Sequence, residues 1–364
     1  MVLPQPWSGI VLVRANGYFA LQVPVPRVSP TQLDKLTDEE LLDLRFRDLD
    51  LKIQGTFLQG RIRMLYDELE ARGIDFKPHF WLSSEWFSPD GFPGIAIPFY
   101  LAHPRLARLE KRQMLEVEGW GERQCMRILR HETGHTLENA YRLHYRRKWQ
   151  ELFGSGAQSY PKYYSPKPFS RSYVQHFDMW YAQSHPSEDF AETFAVWLNP
   201  SSRWRTRYKG WPALKKLEYV HELMGAIAGQ KPAVVRRKQI DPLRKLDQTL
   251  REHYNERRAH YQKWPDFYDN DLLRLFSSEV RYRKRPAASR FLREIEPELR
   301  RMVARWTGEY QYTIEQVLDD IIRRCRELRL HLTKSSQQST LESIVMVTVQ
   351  TMNYLHGGHH RVAL

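Results

Sequence analysis

With 364 residues the chain is long enough for one large or two medium domains with a substantial core, and its only cysteines, Cys125 and Cys325, exclude a disulfide framework or a thiolate zinc site and fit a reducing compartment. No stretch reaches the roughly 18 apolar residues of a membrane span, and the opening Met1-Val2-Leu3-Pro4-Gln5-Pro6-Trp7 lacks the basic and apolar regions of a secretory signal, so a soluble cytoplasmic protein is expected. The net charge of +13 is uneven: residues 1–100 carry 10 basic and 13 acidic side chains, 101–200 carry 14 and 11, and 201–364 carry 32 and 19, so the basicity belongs to the C-terminal part.

Residues 10–23 alternate loosely (Ile10, Val11, Leu12, Val13, then Tyr18, Ala20, Gln22), which predicts a short hairpin around Asn16-Gly17. Thr37 with Asp38, Glu39 and Glu40 reads as a helix start, followed by Leu41, Leu42 and Leu44. A second helix is expected over 57–72, with Phe57, Ile62, Leu65 and Leu69 inward and Gly73 stopping it. Residues 76–86 are strand-like. The turn cluster at 88–94 then leads into a second extended run, 95–101, which Pro98 marks as an edge strand because proline cannot donate to a ladder.

The next helix carries His131-Glu132-Thr133-Gly134-His135. Gly121-Glu122-Arg123 opens it, Cys125, Met126, Ile128 and Leu129 fall inward, and Leu137, Ala140 and Tyr141 continue the pattern. Positions i and i+4 lie one above the other on a helix, so His131 and His135 can present both imidazoles to one metal ion, with Glu132 beside them as general base toward a water that the metal polarises. Gly134 in the helix interior costs about 1 kcal/mol against alanine and marks a close approach by another part of the chain. A five-residue pattern also arises by chance, so a third ligand is needed.

Metzincins place a glycine and a histidine three and six positions after the second histidine; here those positions are Glu138 and Tyr141, which excludes that class. Gluzincins take a glutamate from a second helix. Residues 155–172, rich in Ser, Tyr, Pro and Lys, read as a long loop, a lid or substrate rim, before such a helix. Pro186 fits its start, Glu188 and Glu192 share one face, and Phe190, Phe194 and Trp197 form an apolar stripe on another. Like charges at i, i+4 are unfavourable on a plain helix, and a cation removes the difficulty. Glu188 is assigned as third ligand and Glu192 as acceptor for a ring N–H of a ligand histidine. Spacing alone leaves the exchanged assignment open.

These site segments resemble a bacterial family of zinc-binding metallopeptidases and are similar to those of the anthrax lethal-factor peptidase domain, through His131-Glu-Thr-Gly-His135 followed by Tyr181, Glu188 and Glu192. The run from Trp81 to Arg105 resembles the segment preceding the zinc helix in the first family, and coverage is roughly residues 50 to 215. The resemblance implies one zinc ion on His131, His135 and Glu188, with Tyr181 stabilising an oxyanion. Many relatives carry an N-terminal four-cysteine ribbon that is absent here, so its partner recognition is not carried over. In such a peptidase an edge strand beside the zinc helix binds the substrate backbone, which makes Ile95, Ala96, Ile97 and Phe99 candidates for that contact; a purely structural edge is the alternative.

Further along, 204–211 mixes basic and aromatic residues, 212–229 reads as a helix, and Arg236-Arg237-Lys238 reads as a linker. Beyond 240 the pattern is almost wholly helical. One stripe runs through Leu292, Ile295, Leu299, Met302, Val303 and Trp306. Another runs through Ile314, Val317, Leu318, Ile321, Ile322, Cys325 and Leu328 on a helix over 313–330, with Thr313 and Gln316 as a capping box. Arg281-Tyr-Arg-Lys-Arg285 can meet phosphate backbones but reads first as solvated surface. His356, His359 and His360 can bind metal but read as a tail, and His176 and His185 read as packed or capping histidines.

The expected fold is α+β and predominantly helical: a zincin-like metallopeptidase domain with a small sheet over 1–235, and a basic helical region over 236–364. The expected function is hydrolysis of peptide bonds in a peptide or protein substrate, dependent on zinc, with Glu132 as base. The alternative is a non-catalytic zincin-fold protein that binds an acidic partner or nucleic acid through its basic C-terminal half. Glu132 argues against this, since a structural zinc site needs no base there.

Overall fold

The computed structural model describes residues 11–15, 18–22, 27–161, 163–164, 166–167, 170–178, 180–260, 269–356 and 362–363. The chain is predominantly helical, with small two-stranded sheets, an α+β arrangement. β1 (Val11–Ala15) and β2 (Tyr18–Gln22) form the expected hairpin with Ala15 opposite Tyr18. The expected turn residues Asn16 and Gly17 lie outside the described residues. Thr37 caps the helix Asp38–Leu42 with Glu40 reaching back to it, a full capping box. The helix Phe57–Glu70 buries Leu58, Leu65 and Leu69, and Gly73 beyond it takes a φ of +74°.

β3 (His79–Ser83) pairs in parallel with β4 (Gly94–Pro98), Trp81 opposite Ala96. On the other side of β4, the Ala96 N–H donates to the Phe87 carbonyl at 2.9 Å. The strand is therefore covered at that point, and Phe99–Ala102 continues as a turn of 3-10 helix. Every residue of β4 is buried.

The histidine motif lies on the helix Glu122–Tyr141, and the two glutamates lie on the helix Pro186–Leu198. Both bury apolar faces in one core: Cys125, Met126, Leu129 and Leu137 from the first, Phe190, Phe194 and Trp197 from the second. Fully burying a side chain of this kind contributes about 1.5–3 kcal/mol. Ion pairs with little solvent exposure fix the two helices against their neighbours. Arg130 meets Glu68 of the Phe57–Glu70 helix in a two-pronged contact at 2.6 and 2.7 Å, and Lys216 of the helix Ala213–Ile227 bonds Asp189.

This first core runs from Leu33 to Tyr254, so it continues past residue 236 and takes in Leu243, Leu250 and Tyr254. A second core, from Leu272 to Val347, is built by the helices Ala288–Thr307, Gln311–Glu327 and Ser336–His356. The expected stripe from Ile314 to Cys325 is buried there. Thr313 and Gln316 lie inside the helix, however, because it starts two residues earlier with Tyr310 at its N-cap. Met302 and Trp306 face outward, Trp306 at 70% exposure. Among the described residues no helix is long and apolar enough to cross a membrane, and both cysteines are free and buried.

Candidate metal centre

The centre forms where the motif helix crosses the glutamate helix. A Cβ added to Gly134 would lie 2.8 Å from the Cα of Ala191, so the two backbones touch at that point, the close approach that an interior glycine signals. His131 and His135 flank Gly134, and Glu188 and Glu192 flank Ala191. Contact at the small residues therefore throws the four polar side chains into one gap.

In that gap His131 Nε2 lies 3.0 Å and His135 Nε2 3.2 Å from the same oxygen, Glu188 Oε2, and the two nitrogens are 3.1 Å apart. Donors at zinc–ligand lengths around a tetrahedral ion stand about 3.3 Å from one another. The triangle is thus close to the size that zinc requires, and these three side chains can hold a metal ion. His131 Nδ1 lies 3.0 Å from Glu192 Oε1 and Nε2 lies 3.0 Å from Glu188 Oε2, so with Nδ1–H donating to Glu192, Nε2 is the nitrogen that a metal beside Glu188 would take. Burial opposes protonation of His131, yet the Glu188 and Glu192 carboxylates outweigh it and push its pKa up to about 10. Glu188 goes the other way: burial alone would raise it, but the charges and hydrogen bonds of His135 and His131 hold it well below the usual carboxylate range. The donor set attracts positive charge.

Glu192 has no solvent exposure, and its other oxygen accepts the Phe177 N–H at 2.8 Å. Phe177 also packs its ring 4.8 Å from that of His131. The segment is tied down by His176, whose Nε2 donates to the Arg127 carbonyl at 3.1 Å while Arg127 bonds back to the His176 carbonyl. Burial holds the His176 pKa down at about 4, so it is a neutral structural donor. His185 caps the glutamate helix, its Nδ1 accepting the Ser187 N–H at 3.1 Å.

Glu132 is buried, and its Oε2 has no hydrogen-bond partner among the described residues. A carboxylate oxygen without such a partner beside two histidines that could hold a metal suits a group that handles a proton from outside the protein. The Tyr181 ring lies 5.8 Å from that of His131. Burial and the nearby Glu188 charge push its hydroxyl well above the usual tyrosine range, so it remains a donor at neutral pH.

The structure thus brings His131, Glu132, His135, Tyr181, Glu188 and Glu192 together, while Ile95, Ala96, Ile97 and Phe99 pack beside the motif helix with their side chains buried. Those four have no solvent exposure and belong to the core. The segment Ser88–Gly91 bonds to the motif helix as well: Ser88 Oγ donates to the Glu132 carbonyl at 3.1 Å, and the Gly91 N–H donates to Asn139 Oδ1 at 2.9 Å. Sequence reasoning did not single out Phe177 or Tyr160, whose hydroxyl donates to Glu188 Oε1 at 2.9 Å. Tyr160 lies on the long loop expected to rim the site, but no local pattern distinguishes it from the other tyrosines there. Of His356 only the helical backbone is described, and His359 and His360 lie outside the described residues.

No curated protein and no solved structure matches the chain. Residues 106–223, which contain both helices of the centre, match the family described as "putative zinc-binding metallo-peptidase".

Proposed function

We propose that the chain is a zinc-dependent metallopeptidase of the gluzincin type, with a zincin-like catalytic unit. The observation that carries this is the triangle of donor atoms at 3.0–3.2 Å beside a buried carboxylate oxygen that bonds to none of the described residues. His131, His135 and Glu188 would hold one zinc ion, and Glu192 orients His131 through its Nδ1–H. A zinc ion held there supplies a Lewis acid that polarises a scissile carbonyl and acidifies water. Glu132 accepts the proton of the attacking water at its free oxygen and returns it to the leaving amine nitrogen. The Tyr181 hydroxyl, kept protonated by its surroundings, donates a hydrogen bond to the developing oxyanion. The test is a zinc assay paired with a proteolysis screen of wild type and Glu132→Gln. Zinc in both proteins with cleavage only by wild type is the expected result. Zinc in both with cleavage by neither would instead indicate a non-catalytic zinc protein.

A further inference from the structure

Glu188 presents two oxygens, and the metal-facing triangle uses only one. Its Oε1 accepts the Tyr160 hydroxyl at 2.9 Å, while Oε2 faces the histidines. Tyr160 is not held by that bond alone. Its ring lies flat on the imidazole of His185, with centroids 3.9 Å apart and planes 15° from parallel. His185 is itself fixed at both ring nitrogens: Nδ1 accepts the Ser187 N–H at the start of the glutamate helix, and Nε2 donates to the Gln158 carbonyl at 2.9 Å. Gln158 and Tyr160 belong to the same loop. The loop is therefore clamped to the first turn of the glutamate helix at two points, and the clamp ends on the ligand carboxylate.

A hydroxyl donor on one carboxylate oxygen favours metal ligation through the other oxygen. We infer that Tyr160 is a positioning residue for the metal: it holds Glu188 in one-oxygen ligation, and it couples the loop around it to occupancy of the centre. This rests on the metal-centre reading above but adds a residue and a role to it. Tyr160 is 43% exposed, so removal of its hydroxyl need not disturb the core.

The experiment compares wild type with Tyr160→Phe, which keeps the ring on His185 and deletes only the donor. Three readouts are taken: zinc affinity by competition with a chromophoric chelator, the visible spectrum of the cobalt(II)-substituted protein, and thermal unfolding of the chelator-treated protein. The expected result is zinc affinity weakened by about 10-fold, the low end for a group behind a metal ligand. The cobalt bands should lose intensity as Glu188 turns both oxygens to the metal and the coordination number rises, and unfolding without metal should be unchanged. Limited proteolysis adds a fourth readout: zinc should protect the loop in wild type and not in the variant. Equal affinity and an identical cobalt spectrum overturn the proposal, as does weaker binding accompanied by an equal loss of metal-free stability. A wild type that binds no zinc overturns the metal-centre reading itself and this proposal with it.

Discussion

Gly134→Ala tests how the two helices make the centre. The added methyl would sit 2.8 Å from Ala191 Cα, about 0.6 Å short of the 3.4 Å at which ordinary contact begins, and its neighbours, the Cα, Cβ and carbonyl oxygen of Ala191, cannot rotate away. The helices must therefore part by roughly that amount. Overpacking of this kind costs about 1–3 kcal/mol, and the better helix propensity of alanine returns about 1, so the expected loss of stability is about 0–2 kcal/mol. The metal responds more sharply. Ligand distances in a working site hold to about 0.2 Å, and the shift separates His131 and His135 from Glu188 by about three times that. Zinc affinity should fall by about 10–100-fold, well beyond the change in stability. Thermal unfolding with and without chelator, and zinc titration against a competing chelator, measure the two effects separately. Wild-type zinc affinity together with an unchanged or higher melting temperature would refute the idea that this contact sets the geometry.

Other substitutions probe other links. Glu192→Ala should weaken zinc by about 10–100-fold while Glu188→Ala abolishes binding, and equal losses in the two would mean that their roles are exchanged. His253, buried against Phe46 and Phe99 with its pKa held at about 3 by burial and then by Arg257, is neutral in the folded chain, whereas the unfolded chain takes up a proton below its ordinary 6.5. Its folded pKa is depressed, so stability is fully present above pH 6.5 and falls toward pH 3 by up to about 1.4 kcal/mol per pH unit. His253→Leu should flatten the acid side of a melting-temperature profile, and an unchanged slope would place that proton uptake elsewhere. We place the end of the first unit after Tyr254: a fragment of residues 1–260 should fold and bind zinc. A fragment ending at 236 loses Leu243, Leu250 and Tyr254, which are 6%, 0% and 0% exposed, and should melt far lower. Equal melting of the two fragments by circular dichroism would contradict this.

The parts of the site that were legible in the sequence are those whose geometry is local. Two side chains at i and i+4 share a helix face wherever the helix goes, so His131 with His135 and Glu188 with Glu192 declared themselves in pairs, and Gly134 announced a crossing without naming its partner. Composition and periodicity likewise marked the apolar stripe from Ile314 to Cys325. What stayed hidden depends on contacts between distant residues. Pro98 marked an edge strand, and β4 pairs with β3 on one side and meets only the single Phe87–Ala96 bridge on the other. Burial of Ile95, Ala96 and Ile97, however, comes with the core that Ile95 and Ile97 share with Cys125 and Leu129 of the motif helix, and no pattern within the strand reports it. Tyr160 and Phe177 reach Glu188 and Glu192 from 28 and 15 residues away, through a loop whose path no period encodes. The first core extends to Tyr254 because residues 243–254 pack back on it across the basic segment at 236–238, where charge alone suggested a linker.

Metal stoichiometry and peptide cleavage, measured on wild type, His131→Ala and Glu132→Gln in parallel, test the central claim most directly. The account predicts one zinc per chain and cleavage in wild type, neither in His131→Ala, and full zinc without cleavage in Glu132→Gln. Full zinc occupancy in His131→Ala, or wild-type cleavage by Glu132→Gln, would contradict it.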